Sequence, residues 1–137
     1  MRHDERGQVS TWMALASLAM VLIVGIAVDL SGQVLAKQRA ADLAAQAARV
    51  AGNQLEVSPA MRGRPVTVDP QRARAAATAY IANAGATGTV TVTTTQITVT
   101  VHDTYQPLFI SAAGLGTQQV TGEATARLAR AVNGAER

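Results

Sequence analysis

The sequence predicts an α+β protein. A long N-terminal helix, transmembrane in its first half and amphipathic in its second, precedes a small head with a second helix and a three-stranded antiparallel sheet. Three observations predict this. Gly7 to Val28 is an uncharged run of 22 residues. Ala36 to Ala51 continues at helical spacing with no Pro or Gly. Residues 89–101 are dense in Thr and Val and alternate with a period of two, as half-buried strands do. A chain of 137 residues has room for one small domain and an anchor, and not for two full domains.

As a helix, the uncharged run spans roughly 33 Å, enough to cross a bilayer core of about 30 Å. We place the membrane span at about residues 8–28, behind a cytoplasmic tail of residues 1–7. Trp12 suits the headgroup region as a membrane-interface anchor. Ser10, Thr11 and Ser17 are tolerable in lipid because their hydroxyls can bond back to the helix backbone. A soluble helix this long needs more surrounding mass than this chain offers. Three fates stay open for the segment: a retained anchor, a secretory signal cut after Gly25-Ile26-Ala27, or a cut after Gly7 that leaves the apolar helix on the mature chain. No polar, helix-breaking region precedes Ala27, which weighs against the secretory signal.

The helical pattern runs on past Asp29. Ala36, Ala40, Leu43, Ala47 and Val50 form an apolar stripe, and Gln38, Arg39, Asp42, Gln46, Arg49 and Asn53 fall opposite. One helix is therefore expected over residues 8–51, about 65 Å long. Arg2 and Arg6 stand before the apolar run and Lys37 and Arg39 after it, nearly a tie for the positive-inside rule. A tail this short is easily left in the cytoplasm, so the C-terminal part is expected outside.

A linker follows at residues 52–69, with Pro59, Gly63 and Pro65 and a short strand expected at 65–68. The α+β head occupies residues 70–130. Asp69-Pro70 reads as an N-cap followed by Pro at the first helical position. Ala73, Ala76, Ala77, Tyr80, Ile81 and Ala84 then recur on one helical face, with Gly85 at the C-terminal cap. Val90 and Val92 are apolar at even positions, and Ile97, Val99 and Val101 at odd ones. That switch requires a tight turn or bulge near Thr94-Thr95-Gln96, although no Gly or Asn is present there. Pro107 to Gly116 reads as a short helix or turn, residues 118–128 as the last strand, and residues 131–137 as a flexible tail.

Chemistry-bearing patterns are sparse. Without cysteine there is no disulfide, thiolate metal site or thiol nucleophile. The bases are spread along the chain, so the net charge of +3 gives little support for nucleic-acid binding. His3 lies in the tail, and His102-Asp103 lacks the further ligands a metal hydrolase needs. Neither G-x-S-x-G nor H-E-x-x-H occurs. No catalytic, cofactor or metal residues are expected, and no small-molecule substrate. The Thr-rich faces read as ordinary solvated strand faces. Asp29 is the one acid bordering the apolar run. It marks the point where the helix leaves lipid, or it pairs with a basic group of a partner helix. Gly25 and Ala27 stand beside it as small residues suited to helix association.

Arg6-Gly7, Ala27-Val28-Asp29-Leu30 and Ala41-Asp42-Leu43-Ala44-Ala45 resemble the N-terminal module of the Tad (tight-adherence, Flp-type) pilus-assembly TadE/TadG-like proteins. The resemblance covers about residues 6–52. The C-terminal half is similar in style to short actinobacterial members, through V-x-V-x-V, P-L-F, G-L-G and T-G-E-A-T-A-R-L. The resemblance implies a single-pass envelope protein with a pilin-like head, a TadG-like anchor or minor pseudopilin. Its partners would be the lipid bilayer and other pilus-assembly or pilin subunits. Gly7-Gln8 takes the place of a prepilin processing site, while the Glu usual five residues past the cut is Trp12 here, which favours the uncleaved anchor. A signal-anchored surface adhesin or binding module unrelated to pili is the alternative.

Overall fold

The computed structural model describes residues 5–54, 69–112, 114, 116–127, 131–132 and 135–136. Its elements in chain order are helix α1 (Glu5–Gly52), helix α2 (Pro70–Asn83), strands β1 (Thr87–Val92) and β2 (Gln96–Tyr105), the single-turn helix α3 (Phe109–Ala112), strand β3 (Gln118–Arg127), and the two-residue strands β4 (Ala131–Val132) and β5 (Ala135–Glu136). Two compact units result, one of residues 1–35 with 105–118 and one of residues 36–104 with 119–137. The strand expected at 65–68 and most of the linker lie outside the described residues.

In the second unit, three strands form one sheet in the order β1-β2-β3. β1 and β2 are antiparallel, with Val90 opposite Val99 and Val92 opposite Ile97. The parity switch is thus a hairpin. Its turn contains no Gly and is closed by Thr93. The Thr93 N–H and hydroxyl both donate to the Gln96 carbonyl at 2.9 Å, and the hydroxyl accepts from the Gln96 N–H at 3.1 Å. Side chains join β2 to β3 through Thr98–Thr125 and His102–Thr121, both 3.4 Å, and through Gln119, which donates to Thr104 at 3.5 Å. In each pair one residue number rises as the other falls by the same step, which is antiparallel register.

α2 has the ends its sequence prescribes. The Asp69 carboxylate accepts from the N–H groups of Gln71 and Arg72 at 2.9 and 3.2 Å. At the other end the Gly85 N–H donates to Ala82 O and the Ala86 N–H to Ile81 O, with Gly85 at φ +75°. This is a Schellman closure, and its left-handed position favours Gly.

The core of this unit joins Ala40, Ala44, Ala47, Ala48 and Ala51 of α1 to Ala73, Ala77 and Ile81 of α2 and to Ile97, Val99 and Val101 of β2. Leu43, on the expected stripe, is only half-buried, because the buried face is rotated toward Ala44, Ala48 and Ala51. The expected polar residues Gln38, Arg39, Asp42, Gln46, Arg49 and Asn53 are all exposed. Small side chains bring backbone close to backbone: a β-carbon at Gly122 of β3 would fall on the main chain of Ala40 and Ala41. The larger side chains Ile81, Ile97, Val99 and Val101 supply most of the apolar stabilisation, about 1.5–3 kcal/mol each when fully buried. Tyr80 ties α2 to α1 by donating its hydroxyl to Gln46 Oε1 at 2.6 Å. In the tail, Ala131 pairs with Glu136 and Val132 with Ala135, where the sequence suggested fraying.

Gly122→Val is expected to destabilise this unit by about 1–3 kcal/mol, since the added atoms overlap backbone and not a flexible side chain. Gly116→Ala, with open space around the position, is the control that leaves stability unchanged. Urea unfolding of the detergent-solubilised chain checks both.

Tyr80→Phe removes only the bond to Gln46 and is expected to cost about 0.5–1.5 kcal/mol in the same measurement.

Candidate functional site: a buried carboxylate on the apolar helix

The first unit sets the apolar part of α1 beside residues 105–118. The large apolar side chains of this part of α1 point outward, with Trp12 72%, Met13 71%, Met20 70% and Ile23 68% exposed. Ser17 and Ser31 bond back to the carbonyls of Met13 and Ala27 at 2.8 and 2.9 Å, so both hydroxyls are satisfied within the helix. Among the described residues this is the one helix long and apolar enough to cross a membrane.

One face of α1 differs. Gly25 and Asp29 are buried and Gly32 is half-buried. At i, i+4 and i+7 they share a side of the helix. Each meets part of the returning segment. A β-carbon at Gly25 would lie 2.7 Å from Phe109 Cδ1, and one at Gly32 would overlap the Tyr105 hydroxyl. Between the two glycines the Asp29 carboxylate, 1% exposed, accepts three main-chain hydrogen bonds. Leu108 N–H donates to Oδ1 at 2.7 Å, and the N–H groups of Phe109 and Ile110 donate to Oδ2 at 2.8 and 2.6 Å.

The bonds have a simple origin. The first N–H groups of any helix lack an intrahelical acceptor, and a side-chain oxygen just before the helix usually supplies one. Leu108 stands at that place before α3 and has no acceptor, and Pro107 has no N–H. Asp29, 79 residues earlier than Leu108, does the capping instead. The charged acceptor and the three dipoles converge in a buried place where each bond is stronger than in water. Ser111 completes the turn, donating its hydroxyl to Leu108 O at 3.1 Å. Gly114, at φ +86°, donates its N–H to Ser111 O.

The other candidate residues are more loosely placed. Gly7 and Gln8 lie in the opening turns of α1, and Ala27 is exposed. His102 is exposed, with Nδ1 3.4 Å from the Thr121 hydroxyl, and Asp103 accepts from the Thr104 N–H at 2.7 Å. Among the described residues no three His, Asp or Glu side chains converge as metal ligands would. Sequence reasoning singled out Asp29 but missed its donors. The missing cap before Phe109 was a signal that an acceptor was needed, without indicating where it lay.

A helix of this length with its apolar side chains outward fits a membrane anchor, here on a chain that also carries a small α+β fold. Residues 7–54, nearly all of α1, match the sequence model of the family described as "putative Flp pilus-assembly TadE/G-like". The match covers little more than a third of the chain. It supports the resemblance drawn from Arg6-Gly7, Ala27-Val28-Asp29-Leu30 and the Ala-rich segment after them, and with it a general role in pilus assembly. No curated protein and no solved structure shows significant similarity to the chain.

Asp29→Ala strands three N–H groups. Amide exchange at Leu108, Phe109 and Ile110 is expected to accelerate about tenfold or more, while Ile97, Val99 and Val101 keep their protection. Asp29→Asn, which retains one carbonyl acceptor, is expected to fall between the two. Hydrogen exchange on the detergent-solubilised chain reads both variants.

Proposed function

We propose that this chain is a non-enzymatic, membrane-anchored component of Tad/Flp-type pilus assembly, a TadG-like retained anchor in preference to a minor pseudopilin. The observation that carries the reading is the family match lying on a helix whose large apolar side chains are exposed over residues 9–35. In this reading the amino terminus is cytoplasmic, residues 8–28 cross the membrane once and the head is extracytoplasmic. The exposed faces of α1, Ala27 among them, are then free to pack against lipid or neighbouring helices. Gly25 and Asp29 are already engaged within the chain, so helix association falls to the remaining faces. The head makes contacts with other pilus-assembly or pilin subunits. Trp12, at the position where pseudopilins carry Glu, supports retention over cleavage after Gly7.

Deleting the chain from its native cell is expected to abolish surface pili, and re-expression to restore them. Intact mass and N-terminal sequence of the membrane-extracted protein then separate the forms. A chain that keeps residues 1–7 supports the retained anchor. A chain beginning at Gln8 overturns it in favour of a pseudopilin, and one beginning at Val28 overturns both.

A further inference from the structure

We propose that Pro107–Ile110 is a second membrane contact, a wedge seated in the bilayer interface beside α1. The proposal rests on the reading of residues 8–28 as the membrane span. Four observations carry it. First, the wedge is continuous with the apolar surface of α1. Phe109 packs on Gly25, which lies inside the uncharged run and about 6 Å along the helix from Asp29 toward its middle. Second, two of the wedge's apolar side chains are presented outward, Leu108 being 72% and Phe109 47% exposed, while Pro107 is buried and Ile110 half-buried beneath them. A lone exposed Leu is ordinary in water, but a Leu-Phe pair joined to a lipid-facing helix extends one apolar surface.

Third, charge is absent. Thr104 to Gly122 contains no Asp, Glu, Lys, Arg or His, and over residues 8–35 and 105–118 Asp29 is the sole residue of these types. Fourth, the backbone is prepared for a place poor in water. Non-helical chain is excluded from lipid chiefly by its unsatisfied N–H and C=O groups. Here Pro107 has no N–H, and those of Leu108, Phe109 and Ile110 all bond to Asp29. Leu108 O accepts from Ser111. The carboxylate thus does for this turn what water does elsewhere.

The occupant of the surface is lipid, and depth-dependent quenching tests it on the full chain in phosphatidylcholine/phosphatidylglycerol vesicles. The protein has one Trp, Trp12, so the double variant Trp12→Phe, Leu108→Trp carries a single indole at an exposed site. Its emission is expected to be blue-shifted and to fall about twofold or more with lipids brominated near the top of the acyl chains. Emission insensitive to bromolipid but quenched by aqueous iodide overturns the proposal. Blue-shifted emission that neither reagent quenches also overturns it, and indicates a protein partner, a second copy included. The unaltered chain separates the two levels of inference. Trp12 quenched by bromolipid while the indole at 108 is not sinks the wedge alone. Trp12 untouched by bromolipid sinks the anchor on which it rests.

Discussion

Close approach to one helix is the constraint on which both units are built. An α-helix presents its backbone to a neighbour only where side chains are small, and α1 is small where something packs on it. In the first unit Gly25 and Gly32 leave room for the Phe109 ring and the Tyr105 hydroxyl. In the second, five alanines receive α2 and the sheet, and β3 answers with Gly122 at the tightest point. Packing of this kind buries little area per residue, so stability leans on a few larger side chains along β2 and on complete hydrogen bonding.

Asp29 shows what complete hydrogen bonding means beside an apolar surface. A carboxylate at the end of a membrane-length apolar run is costly unless something neutralises or solvates it. Three main-chain dipoles solvate this one. The same bonds satisfy a turn that has no cap of its own. Each partner removes the other's desolvation problem. A partner helix is therefore not needed to account for an acid in this place.

The α+β scaffold is ordinary in its local rules and depends on them closely. Asp69-Pro70 starts α2, Gly85 ends it, and Thr93 closes the hairpin turn through its hydroxyl and N–H. With a three-stranded sheet viable only when one face is covered, the Ala-rich faces of α1 and α2 supply that cover. The family similarity at residues 7–54 covers both the outward apolar part of α1 and the part that carries the core.

Local information in the sequence was enough for the helices, the hairpin and the last strand. Periodicity, caps and parity act between residues a few positions apart, and those signals survive in one dimension. The uncharged run from Gly7 to Val28 likewise marked the apolar helix by length alone. The exact buried face of α1 was less legible, because five alanines look alike and Leu43 is the more hydrophobic choice, although Ala44 is the one buried. Tertiary structure alone decided the partner of Asp29, since N–H donors are carried by every residue except proline and leave no mark in sequence. It also decided that residues 105–118 group with the apolar half of α1, a pairing across about 80 positions that only folding brings together.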